Sequence, residues 1–327
     1  MSWIKKNSTL FVKNQLINNR YRSFKNLKNL SPPFSLYENK KVINWSNNDY
    51  NGLVNDRVLK THLIQGVKKY GCGSLGTRNI GGTHEIHSEL ESRICKIHNK
   101  ESGIIFNSGY LSNLSCMQAL GLIFPDSQFI SDEYNHNSLI NGMRLSRLKK
   151  QFFKHNDLNN LELLLKNNSN KRKIIVLESI YSIDGSISNL NDIIYLKKKY
   201  NCMLFVDEIH AVGVHGKTGG GITELLNVYD DIDIIMGGFG KGFGLIGGYL
   251  TGNKVLIDAI RLAGHGFIFT TSLPPHLVYG IIKSLDYNLE YINDNQKKRK
   301  ELINFFKQTA IAKNIPLIQN NFEESQI

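Results

Sequence analysis

The chain has 327 residues, of which 41% are hydrophobic, 10% aromatic and only 6 are proline. That composition excludes disordered, collagenous and low-complexity polymers, and it suffices for one large domain or one large plus one small. No stretch approaches the ~18 uninterrupted apolar residues of a membrane span. The formal net charge of +12 is spread along the chain, often beside asparagine, with no recognition-helix or zinc-finger pattern to focus it, so no nucleic acid partner is expected. Cys72, Cys95, Cys116 and Cys202 sit far apart without a CxxC pair, which fits a reducing compartment and fits neither a disulfide framework nor a zinc site. The N-terminal residues lack an apolar signal core, and the expected location is the cytoplasm.

From about residue 85 short apolar runs alternate with amphipathic stretches. HEIHSELESRICKIHNK (84–100) places Ile86, Leu90, Ile94 and Ile97 at helical spacing. GIIFNSG (103–109) then predicts a strand and YLSNLSCMQALGL a helix, and SQFISDE, NHNSLINGMRLSRL, KKQFFKHND and LNNLELLLK continue the alternation. KIIVLES (173–179), CMLFVDE (202–208) and DIDIIMGG (231–238) predict buried strands, with NLNDIIYLKKKY a helix between the first two. Strand, helix, strand in this rhythm predicts an α/β fold with a mostly parallel sheet covered on both faces, and ligands of such sheets bind at the carboxyl ends of the strands.

The residues at those ends are polar. FNSGY puts Asn107, Ser108 and Gly109 between a strand and a helix start, where free backbone N–H groups and the helix dipole favour a phosphate. Glu178 ends one strand and Asp207 another, with His210 three residues on. Lys241 lies in the glycine-rich IIMGGFGKGFG. A lysine, an aspartate, an imidazole and a helix N-terminus converging on one crevice outline a site for pyridoxal 5'-phosphate. The lysine would bond the aldehyde carbon, the aspartate would keep the pyridine nitrogen protonated, and the helix end would hold the phosphate. Each signal is weak alone; their order at successive strand ends is what makes them specific.

The motifs RYRSF (20–24), NDYNGL (48–53), GCGSLGTRNIGGTHEIHSELE (71–91), NSGYLSN (107–113), SDEYNHNSLINGMRLS (131–146), ESIYSIDGSI (178–187), DEIHAVGVHGKTGGG (207–221), FGKGFGLIGGY (239–249) and GFIFTTSLPP (266–275) resemble, in order, those of the α-oxoamine synthase family of fold-type I pyridoxal phosphate enzymes. The GTRNI, DEIHAVG and GFIFTTSLPP forms are similar to the branch that makes 5-aminolevulinate, whereas FGKGFG resembles the 8-amino-7-oxononanoate branch as much. The resemblance implies a PLP-dependent transferase with an N-terminal segment (1–47), a large PLP-binding domain (48–275) and the start of an incomplete small α+β domain (276–327). It also implies a homodimer with shared active sites.

The reaction it implies is condensation of glycine with succinyl-CoA, releasing CoA and carbon dioxide and giving 5-aminolevulinate for tetrapyrrole synthesis. Lys241 would hold the cofactor and then serve as the base for a glycine Cα proton. Asp207 would pair with the ring nitrogen, His210 would hydrogen-bond the ring oxygen and His136 would stack on the ring. Ser108, Gly109 and Tyr110 would take the phosphate, joined by Thr270 or Thr271 of the neighbouring subunit, with Ser182 at the rim of the cofactor and acyl sites. For the succinyl-CoA side the matched positions are Arg22, Asn48, Thr77, Asn79, Ile80 and Ser182, the guanidinium suiting a carboxylate. One departure stands out: Gly238 replaces the threonine usual three residues before the lysine, so a phosphate hydroxyl is lost and weaker cofactor retention is expected.

Two competing motifs fail on context. Gly242, Gly244 and Gly247 form a GxGxxG, but GGYLTG after it predicts a strand rather than the helix a dinucleotide turn must open. HEIH (84–87) is not HExxH and is expected to be a helix start, with no metal. Family members continue beyond the end of this sequence and carry there an arginine for the glycine carboxylate that no residue here matches. A chain that binds pyridoxal phosphate without turnover is therefore the alternative of a different class, and an 8-amino-7-oxononanoate synthase-like enzyme is the third.

Overall fold

A computed structural model describes residues 2–29, 33–167 and 172–317. Residues 318–327, part of the expected small C-terminal domain, lie outside the described residues. The chain divides into two units, Met1–Asn47 and Asn48–Ile327.

The first unit begins with helix α1 (Trp3–Ile17), whose first turn is capped by the Ser2 hydroxyl accepting from the Lys5 N–H. None of its residues is buried, and Trp3, Phe11 and Ile17 face outward. An antiparallel sheet follows, with β1 (Lys28–Asn29), β2 (Phe34–Tyr37) and β3 (Lys40–Ile43) in that order. The two residues joining β2 to β3, Glu38 and Asn39, both have positive φ, the left-handed pair of a type I′ hairpin that matches the twist of its strands. Sequence patterning predicts no strands here, because each run is too short to display a period of two.

The second unit opens with α2 (Arg57–Tyr70) and α3 (Glu85–Ile97) and then alternates. It runs through β4 (Ser102–Phe106), α4 (Gly109–Ile123), β5 (Ser127–Asp132), α5 (Asn137–Leu145), β6 (Lys149–Phe153), α6 (Leu158–Lys166), β7 (Arg172–Glu178), α7 (Leu190–Lys199) and β8 (Met203–Asp207). The short α8 (Ile222–Leu225), β9 (Ile234–Gly238), β10 (Gly248–Gly252), α9 (Lys254–Ala263), α10 (His265–Ile268) and α11 (Pro275–Ala312) complete it. HEIH opens α3: His84 caps it, and the His84 and His87 side chains each accept a backbone N–H in a reciprocal capping box.

The seven strands of this unit lie in the order β4-β10-β9-β8-β7-β5-β6. β10 runs antiparallel to both neighbours, and the other pairings, β9 through β6, are parallel. β7 and β8 are buried almost throughout, as strands covered on both faces must be. Adjacent residues feed opposite faces: Phe205 packs with Phe129, Met236 and Leu250, whereas Val206 packs with Ile130, Leu177 and Ile235. The register sets Glu178 beside Asp207 and Asp207 beside Met236. Two carboxylates therefore end neighbouring strands at the same height, which is the feature of the sheet that positions the site.

Helix α11 is 38 residues long, about 57 Å at 1.5 Å per residue. Pro275 occupies its first turn, where a missing N–H costs nothing. Its first half buries Val278, Ile281, Ile282 and Leu285 against Ile86, Leu90 and Ile94 of α3. Farther along, Leu302, Phe305 and Ile311 are exposed.

Candidate active site

The crevice at the carboxyl ends of β7, β8 and β9 is built by chain turns that leave those strands. Lys241 sits in the turn between β9 and β10, with its Nζ against His210 Nε2. His210, in the turn after β8, holds the Tyr50 hydroxyl on its other nitrogen, 2.8 Å from Nδ1. Burial pushes His210 down to about 3, assisted by the Lys241 and His136 charges, so its ring is neutral at physiological pH. A neutral ring facing an ammonium accepts at Nε2 and carries its proton on Nδ1, donating to Tyr50. Tyr50 itself is pushed up to about 12 by burial and remains a phenol.

Burial also lowers Lys241, to about 8, against the opposing pull of the Asp207 and Glu178 carboxylates. Asp207 is buried at the end of β8. It accepts from Asn113 Nδ2 at 2.7 Å on Oδ2 and from the Ile209 N–H at 2.9 Å on Oδ1. Desolvation raises it, and the Asn113 bond works the other way. Its neighbour Glu178 is raised well above its usual range by burial first and by the Asp207 charge second. Glu178 accepts the backbone N–H of His136, the N-cap of α5. The adjacent Glu208 faces the other way and caps α8 through the Ile222 and Thr223 N–H groups.

At the start of α4 the Ser108 hydroxyl accepts from the Leu111 N–H at 3.2 Å. Tyr110 is exposed, meets the His136 ring edge-on at 6.3 Å, and its hydroxyl accepts from Asn141 at 3.0 Å. Thr271 pairs with Thr77 in an isolated antiparallel bridge, and its carbonyl accepts from Asn107 Nδ2 of the same chain at 2.7 Å; Thr270 beside it is half-buried. Thr77 Oγ1 and Asn107 Oδ1 are buried atoms without a hydrogen-bond partner. Asn48 lies exposed two residues before Tyr50, and Asn79, Ile80 and Ser182 lie exposed in turns. Arg22 is an exposed residue of the first unit. The structure thus joins Lys241, His210, Asp207 and Glu178, with His136 alongside, and the described hydrogen bonds do not tie Asn79, Ile80 or Ser182 to that cluster.

Three residues of the cluster were not singled out from sequence. Tyr50 stands inside the NDYNGL motif but is 160 positions from His210, and Asn113 is 94 from Asp207. Asn113 falls one helical turn after Gly109, so a polar side chain on the buried face of an apolar helix was the available signal. The third, Ile209, explains Gly238. A Cβ at Gly238 would lie 2.7 Å from Ile209 Cγ1, and one at Gly109 would lie 2.5 Å from Ile209 Cδ1. The volume freed by Gly238 is therefore filled by an isoleucine wedged between two glycines, which is more than the simple loss of a hydroxyl.

The donor set suits pyridoxal phosphate. Asp207 is a buried carboxylate whose acceptor oxygens meet an amide and a peptide N–H, so a protonated ring nitrogen would be its cationic partner. Lys241, an amine of lowered basicity, would face the aldehyde carbon, and the first N–H groups of α4 would face the phosphate.

The sequence matches the class I and II aminotransferase family over residues 40–322. It is 45% identical over 304 residues to the 5-aminolevulinate synthase of Rickettsia prowazekii (strain Madrid E), a match that covers 92% of this chain and 73% of that relative. The chain belongs to the 5-aminolevulinate synthase family. Among solved structures, serine palmitoyltransferase from S. paucimobilis with bound PLP and myriocin superposes with a TM-score of 0.82 at 26% identity, covering 92% of this chain and 76% of that one. The 8-amino-7-oxononanoate synthase of Francisella tularensis gives 0.72 at 28%, covering 84% and 77%. Both therefore share the mostly parallel sheet described above, while the higher identity lies with the 5-aminolevulinate synthases.

Proposed function

We propose that this chain condenses glycine with succinyl-CoA to give 5-aminolevulinate, CoA and carbon dioxide, with pyridoxal phosphate as cofactor. The observation that carries this reading is Lys241, a buried amine set against a neutral imidazole and near two carboxylates at the strand ends, in a chain 45% identical to a 5-aminolevulinate synthase. When bound, the cofactor supplies an electron sink for the charge that develops at the glycine Cα.

The chain's own residues do the rest. With a pKa of about 8, roughly a quarter of Lys241 is free amine at pH 7.5, against about one part in a thousand for an ordinary lysine, so it can accept the glycine Cα proton. His210 holds that amine in place and is itself held by Tyr50. Asp207, kept in position by Asn113 and the Ile209 N–H, would hold the ring nitrogen, and His136 would cover the ring. Ser108, Gly109 and Tyr110 would hold the phosphate, joined by Thr270 or Thr271 of a neighbouring copy of the chain. Arg22, Asn48, Thr77, Asn79, Ile80 and Ser182 would take the acyl-CoA.

We place the active form as a homodimer. Leu75, Ile80 and Phe269, which are 95%, 87% and 75% exposed, lie in the two segments that the Thr77–Thr271 bridge joins, and such apolar clusters suit burial by a second copy. No described helix is long and apolar enough to cross a membrane, and all four cysteines are free, in keeping with a cytoplasmic setting.

The deciding experiment is an absorbance spectrum of the purified chain with pyridoxal phosphate, repeated after glycine and then after succinyl-CoA, with 5-aminolevulinate assayed in the same tube. A visible band that shifts with glycine and is followed by product is expected. A band that ignores glycine would leave only a cofactor-binding chain, and product from a pimeloyl donor instead of succinyl-CoA would move it to the oxononanoate class.

A further inference from the structure

Asn113 is buried and makes two bonds that face in different directions. It is 2% exposed, and its Nδ2 donates both to Asp207 Oδ2 at 2.7 Å and to Ser138 Oγ at 2.9 Å. The orientation of the amide is decided by charge, since its oxygen turned to a carboxylate would be repelled. Both N–H groups are thereby used, and Asn113 Oδ1 is left buried without a partner. Leaving a buried acceptor empty is unfavourable. That it is tolerated marks the two donations as the arrangement the packing favours.

The direction continues through Ser138, which is completely buried. Because its oxygen receives the Asn113 proton, its own proton is free for His136 Nδ1, 2.7 Å away. The Ser138 backbone N–H points to the same nitrogen at 3.2 Å. Two donors on Nδ1 leave the ring proton only Nε2. Close helix packing holds the geometry: a Cβ on Gly142 of α5 would lie 2.8 Å from Met117 Cβ and 3.0 Å from the Asn113 carbonyl of α4.

We propose that Asn113 and Ser138 form a one-way hydrogen-bond relay, positioning Asp207 at one end and fixing His136 as the neutral Nε2–H tautomer at the other. Neither is a catalytic residue; each acts through the group it holds. The relay stands on the geometry of the chain by itself. Its consequence, that the ring nitrogen's partner and the ring's stacking histidine are set by one shared asparagine, rests on the reading of the site given above.

The test uses the full chain without cofactor, labelled with 15N-histidine, and follows His136 by long-range nitrogen–proton spectra from pH 8 to pH 5. The groups facing His136 are Asp207 from β8, Lys241 and His210 from the turns after β9 and β8, Glu178 from β7 and Tyr110 from α4. Ser138→Ala leaves these groups in place; Asn113→Leu removes the bond that holds Asp207 down, which by itself would make His136 harder to protonate, opposite in sign to the shift the relay predicts. The wild-type chain is expected to show an unprotonated Nδ1 and a protonated Nε2. In Ser138→Ala one donor to Nδ1 is gone, and protonation of His136 should become easier by roughly threefold or more, half a pH unit. Asn113→Leu does not touch His136, yet it frees the Ser138 hydroxyl to turn and should shift His136 in the same direction.

The double variant should then shift no further than Ser138→Ala alone, the non-additivity expected of groups acting in series. If Asn113→Leu does not fold, Asn113→Thr serves, because one hydroxyl proton cannot supply both Asp207 and Ser138. A folded Asn113 variant with an unmoved His136, a protonated Nδ1 in the wild type, or additive shifts would each overturn the relay. No such outcome depends on turnover, so loss of the proposed function would leave this result standing and the reverse.

Discussion

Two regions at the carboxyl edge of the same sheet use nearly the same residue types to opposite ends. At β5 and β6, Asp132 accepts the Tyr134 and Asn156 N–H groups and His155 Nδ1 at 3.0 Å, while His155 Nε2 meets Ser186 Oγ at 2.7 Å. The His155 ring stacks on Tyr134 at 4.2 Å. There Asp132, His155 and Ser186 answer one another, and the result is a clamp on the turn that follows β7. At β7, β8 and β9, Asp207 and Glu178 stand side by side, Lys241 loses basicity to burial, and His210 is kept neutral. Buried charge that its own chain only partly satisfies is what separates a reactive crevice from a structural cluster.

The largest difference should appear on removing the central group of each region. Lys241→Ala should cut 5-aminolevulinate formation by on the order of a thousandfold or more, since both the covalent anchor and the base go, while its thermal midpoint stays near the parent's. A folded Lys241→Ala chain with appreciable turnover would overturn the assignment of the crevice. His155→Ala should do the reverse, lowering stability by about 1–3 kcal/mol in urea unfolding because Asp132 loses its buried partner, with the spectral response to glycine retained.

Acid sharpens the comparison. His210 and His98 are held down to about 3 and His215 to about 4, each by burial first. Their ordinary value is near 6.5, so between that pH and about 4 the unfolded chain binds protons that the folded chain refuses, and stability falls as pH falls. At pH 5.5 each should remove about 1 kcal/mol relative to pH 7. His98→Gln should remove its share of the slope and leave the rest, although raised carboxylates such as Glu178 oppose the histidines in the total; an unchanged slope in His98→Gln would contradict the burial of that ring.

The last expected effect concerns the wedge. Gly238→Thr should destabilise by about 1–3 kcal/mol through its clash with Ile209. Combined with Ile209→Ala it should recover most of that loss and retain pyridoxal phosphate longer on gel filtration. A fully stable Gly238→Thr single variant would show that Ile209 can move aside.

Much of the crevice is legible in the chain because each strand ends where apolar residues give way to polar ones. LES, VDE and MGG mark the ends of β7, β8 and β9, and Glu178, Asp207 and Lys241 follow from that rhythm. The turn residues and the capping histidines of α3 are likewise local. The hairpin of the first unit was not legible, its strands being too short to show a period.

What the sequence by itself determined is the alternation of strands and helices from α3 to β10, a mostly parallel sheet and the chemistry available at its edge, since these depend on periodicity and on residue types a few positions apart. The tertiary structure alone decided which polar groups meet. Tyr50 reaches His210, Asn113 reaches Asp207, and Ile209 fills the space beside Gly238 because strands distant in the chain are set at one height by the sheet register. Burial then assigns protonation, lowering Lys241 and His210 and raising Asp207 and Glu178. Desolvation depends on everything packed around a group, and no local stretch of sequence contains that information.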